Sequence, residues 1–430
     1  MDMRFFLVVV SVLVFCWGSA SAAPMTLQQC IIQGLAENPE IKAYRLQVDE
    51  AKEGVREAVG AFLPTLSLNY TRSELSNGAS NERDTDYLDQ NSDSMSARVS
   101  QPLFTGFSGL AGLKKARQNK EFRRYELQYM QLQLVRNIHS SFYDILRAEE
   151  HVKKWQGSVG RLEEQRRIAQ AWFDQQLAPR LRVLEVEVEL SNARQELIAA
   201  ESKLVIAQAN LRQALYLAGD EPLDIDGSLE SSITESCSDV ESCVELGLER
   251  RPDLRLAAFN IDMARQEARI IAARNLPQVS LDASYVDYQR DYDDRRFTDD
   301  DRDYYTLSLN VSMRPFQGGR NISAYRRQRL VAQRQEEMLL QRRQVVVTEV
   351  RTTFQQLQES RSRLKVAADT LAEAREAYQV ASRSVKLGIS SLSDLLDAEL
   401  RLTRAEINMI DTRHALHIAA ARFHYAVGGK

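Results

Sequence analysis

The sequence has 430 residues, of which 44% are hydrophobic and 27% charged, with only 18 glycines and 9 prolines. That mix, rich in Ala, Leu, Arg, Gln and Glu, favours long helices. A net charge of −4 excludes the basic footprint of a nucleic-acid binder.

The chain opens on a secretory signal pattern. Arg4 supplies positive charge, residues 5–17 are apolar, and Ala20-Ser21-Ala22 is a small-x-small cleavage pattern. The signal is expected to be residues 1–22, cut after Ala22, because a cut one residue later would leave Pro24 directly behind it. The apolar run falls short of the ~18–20 residues that a spanning helix needs. Val14-Phe15 before Cys16 makes a poor lipobox, so no lipid anchor is expected. No other long apolar run follows. A membrane protein of this kind must therefore span as a closed barrel, since only helices and barrels satisfy their backbone in lipid. Cys30, Cys237 and Cys243 remain after cleavage, in an oxidising compartment. A Cys237–Cys243 disulfide that leaves Cys30 over and a set of free buried thiols are equal readings.

An internal repeat covers nearly all of the rest. CIIQGLAENPEIKAYRLQVDEAKEGVREAVGAFLPTLSL begins at Cys30, and CVELGLERRPDLRLAAFNIDMARQEARIIAARNLPQVSL begins at Cys243. They align without a gap, pairing Pro39 with Pro252 and Pro64 with Pro277. Further on, Phe104-Thr105-Gly106 pairs with Phe316-Gln317-Gly318, and the segment from Val183 pairs with that from Leu395. The organisation read from this is a first repeat at 23–220 with strands near 64–74 and 95–104. A linker at 221–240 and a second repeat at 241–430, with strands near 277–289 and 304–315, complete it. Each repeat runs helix, strand, strand, long helix, helix. Proline inside a helix costs about 3 kcal/mol or more. Its absence from residues 105–178 and from 316 onward permits very long helices.

The strands alternate with period two: Leu66, Leu68 and Tyr70 against Ser67, Asn69 and Thr71, then Tyr305, Leu307, Leu309 and Val311 against Thr306, Ser308, Asn310 and Ser312. Strands of ~9–11 such residues fit a transmembrane barrel. The plainer reading is a half-buried hairpin in a soluble sheet. Four strands cannot close a barrel alone, but shared among chains they remove each other's edges. The run DYDDRRFTDDDRD, residues 291–303, reads as a solvated loop. The helices carry coiled-coil spacing. Leu190, Ala193, Leu197, Ala200, Leu204, Ala207, Leu211 and Ala214 match Leu402, Ala405, Met409, Thr412, Leu416, Ala419, Phe423 and Ala426. In the long helix of the second repeat, Val350, Phe354, Leu357, Leu364, Ala368, Leu371, Tyr378 and Val385 keep the register.

This layout resembles the TolC-like outer-membrane efflux and secretion channels over essentially residues 25–428. The marks are NPEIKA and RPDLRLA, FLPTLSL and NLPQVSL, SQPLFTGF and SMRPFQGG, and KLGISSLSDLLDAEL. The resemblance implies a mainly α fold with β strands. It also implies a homotrimer whose twelve strands form an outer-membrane barrel set in lipid, above an α-helical coiled-coil tunnel in the periplasm. The implied partners are a periplasmic adaptor protein and an inner-membrane RND or ABC pump. By the same resemblance Asp394 and Asp397 match the acidic aperture at the periplasmic entrance, and Leu387, Gly388 and Ile389 form the adaptor-docking turn. In a trimer the two carboxylates make stacked acidic rings, a cation-selecting device. The bland reading is helix-start chemistry, with Ser391 as N-cap and both aspartates favoured by the helix dipole. Residues that brace the closed entrance in the best-known members match Val385 and Ser390, a departure. The turn at 176–182 of the first repeat lacks the docking glycine, and its Arg180 or Arg182 is a candidate partner for Asp394 that restrains the aperture.

His414, His417 and His424 share one helix without a matched carboxylate or cysteine cluster, and read as structural. No phosphate loop or nucleophilic triad appears, so no enzyme activity, cofactor or metal is expected. The expected function is the passive exit duct of a tripartite efflux pump or type I secretion system, gated at its periplasmic end. The alternative is a periplasmic coiled-coil structural or adhesion protein without a pore.

Overall fold

The computed structural model describes residues 24–75, 90–218, 223–230, 237, 239–292, 298 and 300–429. The signal segment at 1–22 lies outside the described residues, as do parts of the linker and of the charged loop. In chain order the elements of the first repeat are β1 (Met25–Thr26), α1 (Leu27–Glu37), α2 (Pro39–Gly60), β2 (Thr65–Leu75), β3 (Gln90–Thr105), α3 (Ser108–Asp174) and α4 (Arg180–Leu215). Then come β4 (Ile225–Asp226), α5 (Val240–Arg250), α6 (Pro252–Ala273), β5 (Gln278–Tyr292), β6 (Asp300–Ser312), α7 (Arg320–Lys386) and α8 (Leu392–Ala426).

The first helix of each repeat is divided in two. Asn38 and Arg251 sit at ψ 122° and 124°, out of the helical region. Each precedes a proline, whose ring clashes with a helical neighbour. Each then turns its side chain to the same use. Asn38 Nδ2 donates to Ala214 O at 3.1 Å, in the last turn of α4, and Arg251 Nη1 donates to Ala426 O at 3.4 Å, in the last turn of α8. The orphan carbonyls of two equivalent helix ends are thus met from equivalent positions. Close approach is repeated as well. A Cβ on Gly34 would lie 2.5 Å from Ile138 Cδ1, and one on Gly247 3.1 Å from Val350 Cγ2. At both sites a larger residue would press on a side chain of another helix, more severely at Gly34.

The chain packs as two compact units, each drawing on both repeats. One holds α1, β1, α4, β4, residues 134–174 of α3, 355–386 of α7 and 392–422 of α8. Its core includes Cys30, Ile138, Ile145, Leu211 and Leu215, all fully buried. Linker residues 223–230 belong to this packing: Ile225 pairs with Met25 in a two-residue parallel ladder, and Ile225 and Leu229 are buried. The predicted seams of α4 and α8 face inward throughout. In α7 the seam passes through buried Ala367 and leaves Ala368 exposed, a correction to the predicted register. The step after Leu364 is three residues, which preserves the heptad that ends at Leu371.

The second unit holds α2, α5, α6, residues 108–133 of α3, 320–354 of α7, the C-terminal residues from 423 and a four-stranded sheet of order β2-β3-β5-β6. All its pairings are antiparallel. Leu66, Leu68 and Tyr70 face Val99, Ala97 and Met95; Ala97 and Val99 face Tyr285 and Ala283; and Leu281, Ala283 and Tyr285 face Leu309, Leu307 and Tyr305. One face is therefore apolar across all four strands. The other carries Ser67, Asn69 and Thr71, then Ser96, Arg98 and Ser100, then Ser280, Asp282 and Ser284, then Thr306, Ser308, Asn310 and Ser312. On this face Asp282 Oδ2 accepts from Ser280 Oγ at 2.8 Å and Asn310 Nδ2 at 2.6 Å. Pro102 lies inside β3. It sits at a register shift between Pro102 and Phe104, which absorbs its missing N–H.

The strands run further than the alternation predicted. β3 starts at Gln90, and β5 and β6 carry the ladder out to Arg290 and Asp300. The charged run is thus partly strand, and the rest of it lies largely outside the described residues. Charge does not stop a ladder that continues into water, where Arg302 Nε donates to Asp300 Oδ1 at 2.5 Å. Among the described residues, no helix is long and apolar enough to cross a membrane. Cys237 and Cys243 are disulfide-bonded, and Cys30 is free and buried.

Candidate functional site

The turns that join α3 to α4 and α7 to α8 lie in the first unit and share one small core. Ala169, Val183, Val186, Val385, Leu392 and Leu395 are buried together there, with Trp172 and Tyr378 packed against them. Both turns have one geometry. Ile389 N donates to Ser384 O at 2.9 Å and Gly388 N to Val385 O at 3.1 Å; Leu177 N donates to Trp172 O at 2.8 Å and Gln176 N to Phe173 O at 2.9 Å. These are Schellman turns, which place one residue in the left-handed region. That residue is Gly388 at φ +70° in one turn and Gln176 at φ +60° in the other. The first repeat thus makes the turn without the glycine whose absence the sequence showed. Both turns present apolar side chains to solvent: Leu387 is 73% exposed, Ile389 77% and Leu177 71%.

Asp394 and Asp397 are both exposed on α8. Asp394 N, in the first turn of α8, donates to Ser391 Oγ at 3.1 Å, while Asp394 Oδ2 accepts from Ser391 N at 2.9 Å and from Ser390 Oγ at 2.7 Å. This reciprocal cap is the helix-start chemistry foreseen as the plainer role. It also fixes the carboxylate in place. The Ser390 hydroxyl first, then the Ser391 hydroxyl and amide, hold the Asp394 carboxyl below its ordinary value.

The expected ion pair from Arg180 or Arg182 to Asp394 does not form within the chain. Arg182 Nη1 pairs with Glu185 Oε2 at 3.2 Å, one turn along its own helix, and donates to Ser393 Oγ. Ser393 Oγ in turn donates to Glu185 Oε2 at 3.4 Å. Two serines already occupy Asp394, so Arg182 reaches it only through space, and Arg180 is exposed. The bridge between α4 and α8 therefore runs through Ser393, a residue that sequence reasoning passed over. A second omission lies along α8. Buried Glu399 accepts from Arg161 Nε at 2.8 and 2.9 Å, and from Ser158 and Thr403. Its signal was a carboxylate one turn before Leu402, on the face that the seam buries. His414 Nε2 lies 2.9 Å from Asp144 Oδ1, and His417 Nε2 lies 3.2 Å from Leu229 O, so both join packing networks.

A two-faced sheet set on duplicated 67-residue helices, with paired turns at the helix ends, defines an outer-membrane channel subunit. The outer membrane efflux protein model matches residues 31–215 and 244–429, one match for each repeat, and the chain belongs to that family. The outer membrane protein TolC of Vibrio cholerae is 23% identical over 410 residues, which span 92% of this chain and 89% of that protein. The alkaline protease secretion protein AprF of Pseudomonas aeruginosa is 34% identical over 93 residues, 22% of this chain. Among solved structures the channel CusC has a TM-score of 0.82 at 17% identity, covering 94% of this chain and 92% of that one, a likeness of fold. The protein is thus an efflux duct of the outer membrane that extends into the periplasm, and the poreless adhesion reading is set aside.

Proposed function

We propose that three copies, exported and cleaved after Ala22, close one twelve-stranded barrel and act as a passive conduit. No chemistry occurs at this subunit. An adaptor protein seats on the Leu387-Gly388-Ile389 turn, and an RND or ABC pump of the inner membrane supplies the cargo. The observation that carries this is the sheet: one face apolar, one polar, with β2 and β6 as open edges. An edge row of unpaired N–H and C=O groups cannot stay open in lipid, and closure with further copies satisfies it.

At the entrance, Asp394 and Asp397 of three copies form the acidic aperture, and the Arg182–Ser393–Glu185 bridge restrains α4 against α8. Mature protein in planar bilayers tests both parts. Trimeric channels that conduct are expected. A trivalent cation on the periplasmic side should block them, and Asp394→Ala with Asp397→Ala should raise the blocking concentration by about tenfold or more, as loss of a charged ring implies. Because the folded Asp394 carboxyl titrates below its unfolded value, its charge is present above that value and is lost only as pH falls through the folded one. Block should therefore survive to lower pH in the wild type than in Ser391→Ala. A preparation that never conducts sinks the duct, and equal block in the double variant removes the aperture role.

A further inference from the structure

In the second unit, at the end of the sheet that meets the helices, β5 begins at Gln278, β6 ends at Ser312 and α7 begins at Arg320. Between them lies a cavity of ≈ 700 Å³ whose wall carries Arg274, Arg314, Arg320 and Arg327 and no carboxylate. None of the four forms an ion pair among the described residues, and Arg320 Nη2 finds only Gln317 Oε1, at 3.1 Å. Other cations of this unit do have partners: Lys115 pairs with Glu267 at 2.8 Å, Arg265 with Glu336 at 2.7 Å and Arg342 with Asp253 at 2.6 Å.

The repeat supplies an internal control. Ala61, Pro102 and Ser108 of the first repeat stand where Arg274, Arg314 and Arg320 stand, and Lys115, which matches Arg327, is the one paired with Glu267. The fold therefore does not need this cluster, and four like charges around one cavity oppose each other in an empty site. Gln278 and Ser312, which both line the cavity, belong to the polar face of the sheet. The cavity thus opens on the face that lines the lumen once the strands close.

We propose that this cavity is an anion site on the wall of the conduit, which takes phosphate or carboxylate groups of molecules in transit. The inference rests on the trimeric duct reading, which presents the cavity three times around the lumen. Guanidinium forks bind such groups in bidentate fashion, and arginine rings are the means by which pores favour anions and phosphates. Repetition around the lumen lets a multivalent anion bind strongly while each contact stays weak enough to release.

Tripolyphosphate added to conducting trimers in planar bilayers tests the site. Half-block is expected at a concentration lower by about tenfold or more than in the variant Arg274→Gln, Arg314→Gln, Arg320→Gln, Arg327→Gln, given the strength of charge-assisted forks. The reversal potential in a KCl gradient should also shift toward chloride in the wild type relative to that variant. If the fourfold variant does not assemble, Arg314→Gln and Arg327→Gln alone should each raise half-block about two- to threefold on the same reasoning. Absence of block in conducting wild-type channels, or equal half-block in wild type and variants, overturns the site. Absence of conductance in the wild type instead sinks the duct reading.

Discussion

Gln176 occupies a backbone conformation in which an L residue meets its own following carbonyl, at a cost of roughly 1–2 kcal/mol. Glycine escapes that clash but loses more freedom on folding, by roughly 0.5–1 kcal/mol. Gln176→Gly is therefore expected to stabilise the protein by roughly 0.5–1 kcal/mol, and Gly388→Gln to destabilise it by roughly the same amount. Thermal unfolding of the solubilised protein measures both, and equal signs for the two changes would count against this account of the turns. Nothing in Gln176 as a letter marks the left-handed site, because glutamine does not seek it. The repeat imposes the turn. The cap at Asp394 was legible, since a serine three residues before an acid is a capping signature. That Ser393 would intercept Arg182 was not, because an ion pair read from sequence ignores a hydroxyl standing between two helices.

The junction of α5 with α6 shows how a motif acquires its reason at the level of elements. Arg251, 3% exposed, donates to Asp253 at 2.8 Å and Glu349 at 2.6 Å, and Arg342 closes on the same aspartate. Burial alone would raise the Asp253 carboxyl, but the two guanidiniums outweigh it and hold the carboxyl below its ordinary value. Removing one partner leaves a buried charge uncompensated. Arg251→Met should cost about 3–5 kcal/mol. Asn38→Ala, the neutral counterpart in the first repeat, should cost only about 1–3 kcal/mol for the unmet carbonyl. Denaturant midpoints compare the two, and equal losses would show that the charge adds nothing. The sequence marked both sites by their prolines yet joined α1 to α2, because a helix period runs through the break unchanged. Strand ends were misjudged for a related reason: alternation fades where both faces are wet, while the hydrogen-bond ladder does not.

For the molecule as a whole, the decisive boundary is between two solvents. In the proposed barrel the sheet turns Leu307 and Leu309 to lipid and Ser308 and Asn310 to the lumen, since these lie on its apolar and polar faces. An arginine on the lipid side at the midplane costs roughly 2–4 kcal/mol, and one on the lumen side far less. Leu309→Arg should therefore lower the heat stability of membrane-extracted trimers, while Ser308→Arg leaves it nearly unchanged. The reverse ranking would mean that the faces have been assigned backwards. The duplicated plan was legible because proline and glycine positions survive where the rest diverges. The compact units were not, since a long helix has no sequence mark at the point where it leaves one core and enters another.

α3 and α7 are each 67 residues long, and the turns that follow them share one small core. A residue inserted in one alone would displace its turn by about 1.5 Å and rotate it by about 100° against the other. Length here is a property of the pair, so lasting change in this lineage must come as matched insertions or deletions, whole heptads at a time, in both halves of the gene.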